Sequence, residues 1–288
     1  MGSRILYYLV ILPISILPYR LLYGFSDFLF LIVYSVIGYR REVTLTNLKN
    51  SFPEKSNEDL NNIMRKFYHH FCDLVVESLK GFTISEKQLR KRVVLRNPEI
   101  MERWFQEGKD IMIIGGHFNN WEIVAQGIGL KVKHMPIGIY KALHNKFFDD
   151  KMKKSREKYR LLMVPIPETK VTFETDFGVR NAMVFGMDQN PGRASKGHWM
   201  TFLNQDTVVA FGAERYAKEY NRPVVHTAVH KVKRGHYEVE FRVITESPND
   251  LPHGAITELC TKSIEKDIVE KPEFWLWTHR RWKAKRPA

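Results

Sequence analysis

Apolar positions fall into three kinds of stretch along the chain, and each kind predicts a different element. From Ile5 to Ile37 they are nearly continuous, interrupted by Pro13, Pro18, Arg20 and Asp27 and followed by Arg40 and Arg41. A straight bilayer span needs roughly 20 apolar residues. Residues 5–19 are too few and carry two prolines, while residues 21–38 carry Asp27, so one kinked span and a hairpin in one leaflet both satisfy the pattern. Tyr7, Tyr8, Tyr19, Tyr23, Tyr34 and Tyr39 sit near the ends of these segments, as in an interfacial anchor, and the arginine pair puts the downstream domain on the cytoplasmic side. The bland alternative is a buried helix of a soluble domain. A cleaved signal peptide is not expected, because the first alanine is Ala125, and Leu6 excludes an N-myristoylation motif.

The second kind of stretch has helical spacing. Leu60, Ile63, Phe67, Phe71, Leu74, Val75 and Leu79 predict a helix over 58–80 with one buried face, started by Ser56 and Asp59 in capping-box spacing. Further helices are predicted at 98–107, closed by Gly108, at 123–130, in a strongly basic run after Tyr140, at 207–220 and at 257–271. The third kind is short and apolar, which predicts strands at 93–95, 111–114, 133–140, 181–187, 223–231 and 237–244. This alternation describes an α/β domain over 41–288 behind an anchor over 1–40.

Composition sharpens the picture modestly. The chain of 288 residues has 44% hydrophobic content, enough for a substantial core, and 45 basic against 32 acidic residues give a net charge of +13. The excess of positive charge calls for an anionic partner: nucleic acid, phospholipid, a phosphorylated substrate or an acidic carrier. Two cysteines without a CxxC argue for a reduced compartment and against a zinc site. His69, His70, His226 and His230 read as structural, since adjacent helical histidines diverge and strand histidines four apart are too distant to chelate.

Candidate chemistry concentrates in Gly115–Glu122, GGHFNNWE, at the end of the 111–114 strand. The glycine pair permits a sharp turn, leaving His117 on the loop. If Asn119 caps the next helix, Asn120, Trp121 and Glu122 occupy its first turn. Glu122 is then a capping group. It is also a carboxylate able to accept the His117 Nδ1 proton, leaving Nε2 to deprotonate a substrate hydroxyl. Such a pair lacks a nucleophile of its own and suits direct transfer of an acyl group from a thioester.

These residues resemble the late acyltransferases of lipid A biosynthesis, within the glycerolipid acyltransferase superfamily and its His-x4-Asp/Glu motif. The likeness extends to the apolar amino terminus, Asn47-Leu48, Ser51-Phe52-Pro53-Glu54, Asp188-Gln189 and the Phe274–Lys283 tail. It implies a mixed β-sheet flanked by helices with a membrane-anchored amino terminus, and His117 and Glu122 as catalytic residues. Arg156, Asp188, Gln189 and Asn120 are the implied substrate-binding residues, with Asp188 and Gln189 orienting the acceptor or bracing His117; Arg193, in the Gly192–Gly197 loop, is read from its charge as a further contact for substrate phosphate. It further implies acyl carrier protein as donor without a cofactor or metal, a lipid A precursor or related glycolipid as acceptor, and an inner-membrane enzyme facing the cytoplasm. Tyr140-Lys141-Ala142 and Phe202-Leu203-Asn204 depart from the family pattern, so acylation of another glycolipid or aminolipid stays open. A membrane-tethered nucleic-acid-binding protein would explain the charge and the tryptophan-rich basic tail, but not the His117 turn. The tail equally suits a membrane interface, or packing on the amino-terminal segment.

Overall fold

The computed structural model describes residues 2–191 and 197–286. Strands β1 (Val93–Leu95), β2 (Ile111–Gly115), β3 (Met135–Tyr140), β4 (Leu162–Pro165), β5 (Asn181–Gly186), β8 (Val224–Lys233) and β9 (His236–Thr245) form one sheet, ordered β1-β9-β8-β2-β5-β3-β4. All its neighbours are parallel except β8 and β9. A separate hairpin joins β6 (Gly197–Phe202) and β7 (Gln205–Ala210).

Helices cover both faces, which explains the unbroken apolar run of β2. Successive side chains point to opposite faces. Ile111 and Ile113 pack with Leu89, Trp104, Ile123, Val124 and Ile128, carried by α5 (Glu86–Arg92), α6 (Glu99–Gln106) and α7 (Trp121–Ile128). Met112 and Ile114 pack on the other side with Leu60, Met64 and Phe67 of α4 (Asn57–Lys80) and with Ile264 and Ile268 of α11 (Ala255–Glu270). The Ser56 Oγ accepts the Asp59 N–H at 3.1 Å, so α4 starts where its cap predicts. Along the chain, α8 (Lys146–Glu157) precedes β4 and the short α9 (Thr169–Glu174) succeeds it.

Two apolar helices precede this layer: α1 (Gly2–Ile16) and α2 (Tyr19–Ile37), separated at Leu17-Pro18. At 19 residues and mean hydropathy 1.6, α2 is long and apolar enough to cross a membrane. The short α3 (Arg41–Ser51) leads from it to α4.

One predicted helix is corrected. Residues 207–210 belong to β7, and the helix there, α10 (Gly212–Glu219), begins only at Gly212. Thr207, Val208 and Val209 are β-branched and pair with Met200, Trp199 and His198 of β6. Leu203 and Asn204, at φ 51° and 59°, make the tight turn that two-residue hairpins prefer. Lacking Asn-Gly or Asp-Gly, that turn has little signature in sequence, and β4 and β6 were likewise not anticipated.

Candidate active site

Strands β2 and β5 lie side by side at the centre of the sheet, and their carboxyl ends carry His117 and Asp188 respectively. Ligand sites in such sheets open at this edge. Gly116 makes the approach possible, since a Cβ there would stand 3.3 Å from the Asp188 carboxyl carbon and 3.2 Å from Ile264. The Asp188 carboxylate accepts three hydrogen bonds: from His117 Nδ1 at 2.7 Å, from the His117 backbone N–H at 2.7 Å and from Trp275 Nε1 at 2.8 Å.

The electrostatics follow from those partners. Burial by itself would push the Asp188 pKa up, yet the His117 charge and these hydrogen bonds outweigh it and hold the group at about 2. The ionised Asp188 therefore accepts a proton from His117 Nδ1, which leaves Nε2 as the basic nitrogen. For His117, burial disfavours the imidazolium, but Asp188 first and Glu122 second outweigh it and raise the pKa above 6.5. Only 1% of the Asp188 side chain is exposed, against 27% for His117, so the carboxylate lies beneath the ring and the ring reaches the open space.

That space is a cavity of about 490 Å³. His117, Glu122, Arg156 and Gln189 contribute polar groups to its lining, and Ile113, Val124, Ile128, Leu161, Met163 and Val184 contribute hydrocarbon.

The structure brings most of the expected residues together but reassigns three of them. Glu122 is not on His117 Nδ1, because that position is taken by Asp188. Its carboxylate instead accepts two hydrogen bonds from Arg156 of α8, from Nε at 2.9 Å and NH2 at 2.5 Å. On the first turn of α7 its side chain projects towards α8 rather than back to the loop. Asn120, not Asn119, is the helix cap, its Oδ1 accepting the Ile123 N–H at 3.0 Å. Its Nδ2 donates to Glu77 of α4 at 2.5 Å, so both ends of this amide are engaged inside the protein rather than towards the cavity. Asn119 takes a left-handed backbone, φ 53°, and donates to the Val229 carbonyl. Arg193 lies outside the described residues.

Trp275 is the functional candidate that sequence reasoning missed. Its tail does not lie free at a membrane: Trp275 and Trp277 are buried, Asn47 of α3 donates to the carbonyls of Trp277 and His279, and Phe274 accepts the Asn119 N–H. The motif of residues 274–283 was visible, but nothing in it points to Asp188, 87 residues earlier.

With this geometry in view, the match to known sequences becomes specific. A sequence model for the bacterial lipid A biosynthesis acyltransferases aligns with residues 2–284. The chain belongs to that family. It is thus an acyltransferase, a transferase of lipid A biosynthesis. It is similar to the lipid A biosynthesis palmitoleoyltransferase of Escherichia coli K12, 21% identical over 249 residues that make up 85% of this chain and 79% of that protein. It is also similar to a lipid A biosynthesis acyltransferase of Haemophilus influenzae, 22% identical over 276 residues, 93% of this chain and 86% of the relative. The cavity joins the His117 imidazole to a lining that is mostly hydrocarbon. Lys141, one of the departures from the family pattern, lies on the cavity wall beside Tyr140.

Proposed function

We propose that this acyltransferase moves a fatty acyl chain from the thioester of acyl carrier protein to a hydroxyl of a lipid A precursor, at the cytoplasmic face of the inner membrane. The observation that carries the reading is the His117 ring, fixed through Nδ1 by an ionised carboxylate and lining a largely apolar cavity. The acyl chain lies along the hydrocarbon lining, and the thioester carbonyl sits by the ring. Nε2 takes the proton of the acceptor hydroxyl as its oxygen forms a bond to the carbonyl carbon. The tetrahedral adduct collapses, the carbon–sulfur bond breaks, and the imidazolium returns its proton to the leaving thiolate. Asp188 stabilises the imidazolium throughout. Because the thioester supplies the activation, the reading calls for no cofactor, metal or covalent enzyme intermediate.

Glu122, Arg156 and Gln189 line the same cavity as His117, where they would fix the acceptor beside Nε2. The +13 charge favours both an acidic carrier and a phosphorylated lipid. Lys141 on the cavity wall, in a stretch that departs from the resembled pattern, favours a second reading in which the acceptor is another glycolipid or an aminolipid.

The test is reconstitution of the purified full chain with acyl carrier protein loaded with several chain lengths and a panel of lipid A precursors, read by mass spectrometry. A precursor gaining one acyl chain supports the first reading, and acylation of only non-lipid A glycolipids or aminolipids supports the second. Release of no acyl group to any acceptor overturns both.

A further inference from the structure

The length and hydropathy of α2 describe a membrane span, but its contacts do not. Along one face it is tied to the body of the enzyme by polar groups. Tyr23 donates to Glu77 at 2.8 Å and Ser26 donates to Asp73 at 2.8 Å. Asp27 accepts from Arg234 at 2.6 Å, and Arg234 also donates to Asp73 through Nε at 2.8 Å. Asp27 lies near the middle of the helix, so a perpendicular span would carry it to mid-bilayer, together with Arg234 and the Lys231–Lys233 end of the β8–β9 hairpin. Charged groups at that depth are strongly disfavoured. At the other end, Lys80 donates to the carbonyls of Ser15 and Leu17 and so satisfies the carboxyl terminus of α1.

The opposite faces are apolar and uncovered. Leu9 is 72% exposed and Val36 79%, with Ile16, Leu21, Phe28 and Ile37 also open. Exposed Arg4, Arg20, Arg40 and Arg41 flank these side chains and suit anionic headgroups. The same surface runs on to the catalytic cavity. Ser3 of α1 accepts from Asn145 at the start of α8, and Phe147 of α8 packs on the rings of Tyr7 and Tyr8. Leu143, two residues before Asn145, and Ile166 are both exposed and line the cavity itself.

We propose that α1 and α2 form a hairpin lying in a single leaflet of an anionic bilayer, with the cavity mouth opening sideways onto that leaflet. Lipid then reaches His117 from within the membrane rather than from water. The lateral access rests on the acyl-transfer reading; the one-leaflet placement does not.

The experiment uses the full chain on vesicles of phosphatidylcholine and phosphatidylglycerol, 3:1, to which protein is added from outside. Cys72 and Cys260 are buried, so single cysteines placed at Arg4, Arg20 or the domain-surface Lys87 can be labelled selectively. All three should react with an impermeant maleimide added outside, without detergent, and a bimane on Leu9→Cys or Val36→Cys should be quenched best by lipids brominated near the headgroup. Labelling of Arg4→Cys or Arg20→Cys only after detergent, or deepest quenching at mid-bilayer, would establish a span and overturn the proposal. Failure of the chain to sediment with these vesicles would overturn it as well. Lateral access is read separately: acylation of a vesicle-embedded acceptor should exceed that of the same acceptor in mixed micelles at least 10-fold, and equal rates overturn it. If the embedded and micellar acceptors both stay unacylated while the labelling pattern holds, the acyl-transfer reading and the lateral access built on it fail, and the one-leaflet placement stands.

Discussion

Asp188 and Glu77 are both buried carboxyl groups that accept three hydrogen bonds, yet the protein drives them in opposite directions. Asp188 is held at about 2, with burial outweighed by the His117 charge. Glu77 accepts from Tyr23, Tyr237 and Asn120, all neutral donors, and burial prevails, raising its pKa with nearby Asp73 adding to the rise. At Glu77 the neutral hydrogen bonds do not offset desolvation, whereas at Asp188 the added cationic partner does. The difference separates two roles. Asp188 keeps its charge and can stabilise an imidazolium, while Glu77 clamps α2, α4, β9 and the cap of α7 together.

Removing the cation should break this contrast most severely. His117→Ala is expected to lower acyl transfer by roughly 10²- to 10⁴-fold while the protein stays folded, and to move the Asp188 pKa upward, as at Glu77. Near-normal turnover by the folded variant would remove His117 from the mechanism. Asp188→Asn tests the other half of the pair, and a rate loss of up to about 10⁴-fold is expected by analogy with serine-protease triads. Here pH supplies the sharper readout. In the native enzyme the raised His117 pKa leaves more of the base protonated at a given pH, so kcat/KM should climb through an acid limb above pH 6.5. Without Asp188 burial dominates, the pKa drops, and the limb should move to lower pH; an unmoved limb would mean another group titrates.

Trp275→Phe removes one neutral donor from Asp188 and keeps an aromatic ring. If neutral donors are secondary, the loss should be about 1 kcal/mol in transition-state stabilisation, about fivefold in kcat/KM, and a loss as large as that of Asp188→Asn would contradict the comparison. Glu77→Gln should matter least, costing about 1 kcal/mol in stability, whereas Glu77→Ala should cost more, at ~1–3 kcal/mol for each donor left unpaired. Its sign with pH is opposite to that of Asp188. The Asp188 pair's contribution is complete above pH 3.8 and lost as pH falls towards about 2, while the penalty of ionising Glu77 grows as pH rises past 4.5. The deficit of Glu77→Gln in thermal melts should therefore shrink as pH rises above 4.5; a constant deficit would show that Glu77 does not titrate differently on folding.

Much of this architecture was legible in the chain because it depends on local pattern. The α4 cap at Ser56, the two-faced burial of β2, the glycine turn and the position of His117 all follow from neighbouring residues. So did the presence of a carboxylate near His117, but not which one: Glu122 is five residues away in sequence and Asp188 is 71 away. Spacing cannot reveal that β5 pairs with β2 in register and delivers Asp188 beneath the ring. Nor can it reveal that the helix carrying Glu122 turns that side chain towards Arg156, or that the tail returns Trp275 to the other oxygen of the Asp188 carboxylate. The β6–β7 hairpin was hidden for the related reason that its turn residues carry no strong preference and its pairing is made only in three dimensions.

The sequence by itself determined most of the sheet strands and the long helices, the position of His117 after its glycine turn, and the family, because hydrophobic period, turn chemistry and motif order are written in adjacent residues. Only the tertiary structure decided that Asp188 rather than Glu122 fixes His117, that Glu77 is a clamp, and that an apolar helix of spanning length has a polar face stitched to the domain. Those outcomes depend on charge, burial and hydrogen bonding between segments far apart in the chain, and folding alone sets their distances.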